Sequence, residues 1–288
     1  MDSKEINFIF FGGEPLAVPI LEQLYSSGFI PKLIVCSPDK PVGRKQILTS
    51  PPTKNWAVEH NIPFLQPTKL DSDFTLQLST LNFELAIVVA YGKIIPKNAL
   101  EIPKFGTINV HPSLLPLYRG PAPITAPILN GDAETGVTII QLDEKMDHGP
   151  ILAQESISLN GNEFVNDLTQ TLSEIGARLL IATIPKIIVG EISPVEQDHE
   201  KATIIKKISK ADGEIKLTDD GIVNWRKYRA YFGWPGTFYF DENGKRIIVK
   251  EAVFENKVSG KARENALGYG KFIIKKILRE GESKIVDS

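Results

Sequence analysis

Through the first 150 residues, short apolar runs bounded by glycine and proline alternate with amphipathic stretches, and this alternation narrows the possible folds sharply. The runs "INFIFFG" (6–12), "KLIVC" (32–36), "LAIVVAYG" (85–92) and "GTINVH" (106–111) are β-branched or aromatic. They read as strands buried on both faces, as in a parallel sheet. Between them "PLAVPILEQLYSSG" (15–28), "TKNWAVEHN" (53–61) and "SDFTLQLSTLN" (72–82) are helical stretches. Strands alternating with helices predict an α/β, doubly wound sheet whose ligands bind at the C-terminal ends of the strands. After "TGVTIIQLDE" and "PILAQESISL", residues 163–189 form a long helical pattern with Phe164, Leu168, Leu172 and Ile175 at helical spacing. "GEISPVEQDHEKAT" (190–203) reads as a polar linker. Beyond it "GTFYFDENGKRIIVKEAVF" predicts a hairpin turning at Asn243–Gly244, and "YGKFIIKKIL" predicts a further strand. The expected organisation is a domain over 1–190, a linker over 191–205 and a small all-β, barrel-like domain over 206–288.

With 288 residues the chain is long enough for two domains, and 42% hydrophobic with 24% charged residues suits a globular protein. The one cysteine, Cys36, has no partner for an internal disulfide, so a reducing compartment is expected. "MDSKEINFIFFGG" carries acidic residues and too short an apolar run for a secretion signal, and no stretch approaches the ~18 apolar residues of a membrane span. A soluble, cytoplasmic monomer is the expectation. The net charge of −2 conceals an asymmetry. Residues 1–200 hold 14 Lys and Arg against 23 Asp and Glu, a net of −9, and residues 201–288 hold 19 against 12, a net of +7. A basic C-terminal third suits a polyanionic partner, although small β-domains are often mildly basic without one.

"FFGGEP" follows the first strand but lacks the third glycine of the dinucleotide fingerprint, so its glycines serve a tight strand-to-helix turn. The four histidines (60, 111, 148 and 199) are scattered and no cysteine pair exists, so no metal site is expected. His60 and His199 stand in polar, helix-end or linker contexts and read as solvated. The stretch "INVHPSLLPLYRG" (108–120) carries more. Residues two apart in a strand share a face, so Asn109 and His111 point together, opposite Ile108 and Val110. Pro112 ends the strand there and stiffens the next few residues. "LDEKMDHGPIL" (142–152) offers a carboxylate, Asp147, with Asp143 as a competitor. A donor, a titratable ring and a carboxylate without a Ser or Cys nucleophile suit acyl transfer to an amine that the substrate supplies.

"INVHPSLLPLYRGPAPI", "VVAYGKIIPKNAL" and "GDAETGVTIIQLDEKMDHGPIL" together resemble the methionyl-tRNA formyltransferases, within the wider group of formyltransferases that use 10-formyltetrahydrofolate. The resemblance extends to "PDKPVGRKQILTSPPTK" (38–54), "KISKADGEI" and "RAYFGWPGTFYF". It implies a Rossmann-like catalytic domain and an OB-like C-terminal barrel that helps hold the tRNA. Asn109, His111 and Asp147 would be the catalytic set, and Ser113, Leu114, Leu115 and Pro116 would contact the folate. Arg44 and Lys45 would reach the tRNA, and Arg119 would either support the acceptor end or pair locally. Partners implied are initiator methionyl-tRNA and folate, with no metal and no membrane. His148 stands where a Thr is common in the family. The chain also stops sooner than usual after "KKILREGESKIVDS", so the last barrel elements are expected to be reduced. A formyltransferase acting on a nucleotide-linked amino sugar would share the trio, and is the alternative.

Overall fold

The computed structural model describes residues 6–43, 45–256, 270–282 and 284–288. The chain divides into two compact units that are not contiguous in sequence. One holds residues 1–123, 136–157 and 169–205, and the other 124–135, 158–168 and 206–288.

The first unit opens with β1 (Phe8–Gly12), α1 (Ala17–Ser26), β2 (Leu33–Val35) and the exposed hairpin β3 (Lys40–Val42) and β4 (Ile47–Thr49). Next come α2 (Pro52–Glu59), β5 (Phe64–Leu65), α3 (Ser72–Ser79), β6 (Leu85–Val89), α4 (Lys97–Leu100) and β7 (Thr107–His111). Local chemistry sets the helix starts. Pro52 occupies the first turn of α2, where its missing N–H costs nothing. Asp71 caps α3 by accepting from the Phe74 N–H. The helix α5 (Thr125–Asn130) belongs to the second unit; after it come β8 (Glu134–Gln141) and β9 (Ile151–Ser158), and then α6 (Val165–Val189).

Seven strands form one sheet in the order β5-β2-β1-β6-β7-β8-β9. Strands β1, β2, β5, β6 and β7 run parallel, as the uninterrupted apolar runs required, and β8 is antiparallel to β7. The chain winds outward from β1 through β2 to β5, then returns to β6 beside β1 and proceeds the other way. This is the doubly wound arrangement, with its switch point between β1 and β6. Phe8, Ile9, Phe10, Ile34, Val35, Leu85 and Ile87 are completely buried in it. Each fully buried side chain of this size contributes roughly 1.5–3 kcal/mol.

In the second unit α7 (Gly221–Ala230), capped by Asp220, packs against β11 (Arg246–Asn256) and β12 (Gly270–Arg279). Ile215, Ile222, Trp225, Tyr228, Val249 and Ala252 make its core. Arg229 is buried there, donating from Nη1 to the Glu163 carbonyl with its guanidinium over the Trp225 ring. Burial pushes its pKa down to about 10, so it stays charged at neutral pH. The predicted hairpin joins β10 (Phe238–Phe240) to β11 through Asn243–Gly244. The barrel does not close among the described residues. The sheet is open, in the order β10-β11-β12-β13, with β13 at Val286–Asp287.

The segment that reads as a linker, 191–205, is not one. It belongs wholly to the first unit, with Val195 bridged to Ile151 and Ile204 bridged to Arg119. Most of its residues are exposed, but Gln197 is buried and hydrogen-bonds within the unit.

Candidate active site

Strand β7 pairs Asn109 with Ile140 and His111 with Thr138 across β8, and both side chains are buried at the C-terminal end of the strand. They share a face, as the two-residue spacing required. The loop between β8 and β9 brings Asp147 against them. Its Oδ1 accepts a long hydrogen bond from Asn109 Nδ2 (3.4 Å) and lies 3.6 Å from His111 Nδ1. Its Oδ2 accepts from the Gly120 N–H at 2.8 Å. Gly120 has φ 118°, and a Cβ there would sit 2.4 Å from the Ile205 carbonyl oxygen, so glycine is required. Asp143, the competing carboxylate, turns elsewhere and holds His148 Nδ1 at 2.6 Å.

His111 Nε2 lies 2.9 Å from the Tyr118 carbonyl. A carbonyl only accepts, so Nε2 carries the proton and donates, leaving Nδ1 on the Asp147 side. The hydrogen bond that fixes the ring therefore goes to the Tyr118 carbonyl. Both residues that present these groups have left-handed backbones, Tyr118 at φ 64° and Asp147 at φ 50°. Each such non-glycine residue costs on the order of 1–2 kcal/mol, which the surrounding hydrogen bonds offset. Nothing in the local sequence announces either.

The proline-rich segment after His111 is tied down by Thr138. The hydroxyl of Thr138 donates to the Ser113 carbonyl (2.6 Å) and accepts from the Leu115 N–H (3.1 Å) and from Gln154 Nε2 (2.8 Å). Ser113 Oγ donates to the Leu117 carbonyl. The Ser113 and Leu115 side chains are thereby interior, Leu114 and Pro116 are half-buried, and Leu117 is exposed.

Arg119 pairs locally: Nε and Nη2 donate to Gln197 Oε1, and Nη2 donates to His199 Nδ1 at 2.9 Å. The rings of His148 and the exposed His199 stack 4.1 Å apart, and the half-buried His60 stacks on Trp56. Lys45 is exposed between β3 and β4, apart from the trio, and Arg44 lies outside the described residues. The ion pair Asp39–Lys54 (2.8 Å) closes the foot of that hairpin, and the Gln66 amide, with Lys54, holds the Asp39 carboxyl below its usual range. An opening of about 760 Å³ is lined by Lys97, Lys104, Gln141, Asp143, His148 and Ile187 among others, but by none of the trio. No group of three or more potential metal ligands occurs among the described residues.

A donor, an imidazole and a carboxylate converge at the end of a doubly wound sheet, an arrangement suited to group transfer. A family profile described as formyl transferase matches residues 4–184, and the chain belongs to that family of formyl-transfer enzymes. Within the family it is similar to the methionyl-tRNA formyltransferase of Chloroflexus aurantiacus, with 44% identity over 86% of this chain and 80% of that one. The methionyl-tRNA formyltransferase of Caldicellulosiruptor saccharolyticus is 45% identical over 85% of this chain and 79% of its own. A solved N-formyltransferase from Helicobacter canadensis, in complex with folinic acid and dTDP-3-aminofucose, shares the fold. Its TM-score is 0.67 at 20% identity, covering 93% of this chain and 98% of that one.

Proposed function

We propose that this enzyme transfers the formyl group of 10-formyltetrahydrofolate to the α-amino group of methionine esterified to initiator tRNA. The single observation that carries the chemistry is the convergence of Asn109, His111 and Asp147. The relatives at 44–45% identity support the acceptor.

An α-amino group has a reference pKa of roughly 7.7–8.0, so a useful neutral fraction exists near pH 7. Its nitrogen attacks the formyl carbon and charge develops on the formyl oxygen. Asn109 Nδ2 donates to that oxygen, and one such donor is worth about 3–4 kcal/mol of barrier. The attacking nitrogen then loses a proton, the bond from the formyl carbon to N10 breaks, and N10 gains a proton. Asp147 takes the first proton and passes it on through His111 Nδ1. The folate packs along residues 113–116. There the exposed Leu117 and half-buried Leu114 and Pro116 offer an apolar edge to a flat ring, and the Thr138 hydrogen bonds keep the segment ordered before binding.

The second unit, with the basic residues of 206–288, holds the tRNA, and its open sheet is the counterpart of the family's OB-like barrel. Lys45, exposed between β3 and β4, and its sequence neighbour Arg44 meet tRNA phosphates. The enzyme acts as a cytoplasmic monomer. No helix among the described residues is long and apolar enough to cross a membrane.

The test is formyl transfer to charged initiator tRNA, with a nucleotide-linked amino sugar as rival acceptor. Transfer to the tRNA is expected. Transfer to the sugar alone would overturn the acceptor while leaving the trio's chemistry intact.

A further inference from the structure

We propose that Gln197 is a positioning residue for formyl transfer: its carboxamide holds the backbone on both sides of Asp147 and so sets the carboxylate against Asn109 and His111. The inference rests on Asp147 being catalytic.

Gln197 is buried, and its amide is fully used. Nε2 donates to the carbonyls of Asp147 (2.9 Å) and Gly149 (2.8 Å). Oε1 accepts from Arg119 Nε (3.1 Å) and Nη2 (2.7 Å). Two carbonyls can only accept and a guanidinium can only donate, so the carboxamide fits in one orientation and not flipped. The two carbonyls bracket His148 and belong to the turn where Asp147 adopts its left-handed backbone. Gly149 keeps that turn tight, because a Cβ there would meet the Gln141 carbonyl oxygen at 1.9 Å.

The other end of the clamp is equally placed. Arg119 lies between Tyr118, whose carbonyl receives His111 Nε2, and Gly120, whose N–H holds Asp147 Oδ2. One carboxamide thus joins the strand of chain that anchors the imidazole to the strand of chain that carries the carboxylate. Neither contact touches the reacting atoms, so Gln197 acts through Asp147.

Two nearly isosteric variants test this. Gln197→Glu keeps the pairing with Arg119 and replaces the donor facing Asp147 and Gly149 with an acceptor. Gln197→Met removes the hydrogen bonds at similar volume. Each is assayed for formyl transfer alone and in an Asp147→Asn background, with the thermal shift produced by tetrahydrofolate as a check on the folded site. Expected are a loss in kcat of about tenfold or more, KM changes within about twofold, and a retained folate shift. In the Asp147→Asn background the same changes should cost less than about twofold further, the non-additivity of two residues acting as one. Near-normal kcat in both variants, or losses that multiply in full with Asp147→Asn, would overturn the role of Gln197 alone. If Asp147→Asn by itself keeps normal turnover, the assignment of Asp147 fails, and the inference with it. Should Gln197→Glu not fold, Gln197→Met carries the same comparison.

Discussion

His111 is held at Nε2 by a carbonyl in a strained residue and faces a carboxylate at Nδ1, so its ring has one orientation and one neutral tautomer. His111→Ala should lower kcat by about 10²-fold or more, the scale of a lost general acid–base group. The tetrahydrofolate-induced rise in melting temperature should persist. Near-normal turnover would remove His111 from the mechanism. Cys36 offers a second check at this scale. Burial pushes its thiol up to about 11 from 9.0. At pH 8 it should resist a disulfide reagent until the chain unfolds, so labelling in rising denaturant should follow the loss of helical signal. Below the ordinary thiol value the shift does not affect stability. Between 9.0 and about 11 the unfolded chain sheds its proton first, and stability should decline as pH rises. Rapid labelling of the native protein at pH 8 would contradict this burial.

Among the elements, β8 organises the site although it contributes no catalytic group. Thr138 stands opposite His111 and holds the Ser113 carbonyl and the Leu115 N–H. Thr138→Val keeps the shape and strands those two groups. A buried polar group without a partner costs about 1–3 kcal/mol, so the melting temperature should fall by at least a few degrees. The KM for folate should rise severalfold, with kcat changed less, because the segment that receives the ring must then be ordered at binding. An unchanged KM beside a lowered melting temperature would show that residues 113–116 do not touch the folate. The strand runs and the hairpin turn were legible from residue spacing, whereas Thr138 was not. It lies in an apolar run, and its hydroxyl has a purpose only once β7 and the loop after it lie beside it.

At the scale of the whole molecule, charge separates the two substrates. Lys206, Lys207 and Lys210 are exposed on the basic third of the chain. A phosphate contact adds a slope in log affinity against log salt of about −0.9 on duplex and about −0.7 on single strands. Replacing these three lysines with alanine should make the salt dependence of tRNA affinity shallower by about two to three and weaken binding at low salt. Folate affinity should be indifferent to both salt and substitution. Equal slopes for parent and variant would show that these lysines are ordinary surface. A cut near residue 203 would not separate the two units, because the second also holds residues 124–135 and 158–168.

What the sequence determined by itself was everything that depends on neighbours along the chain. Side chains repeat every two residues in a strand and about every 3.6 in a helix, so buried runs, the Asn243–Gly244 turn and the shared face of Asn109 and His111 could be read directly. The choice of Asp147 over Asp143 was decided by the path of the loop between β8 and β9, which carries one carboxylate to the trio and the other to His148. The polar stretch 191–205 read as a linker because its hydrogen-bond partners are remote. Gln197 bonds 50 residues back to Asp147, and Thr203 accepts from the Tyr118 N–H 85 residues back. Composition cannot tell a polar residue that faces water from one that satisfies a distant buried backbone; only the tertiary structure, by closing those loops, decides between them.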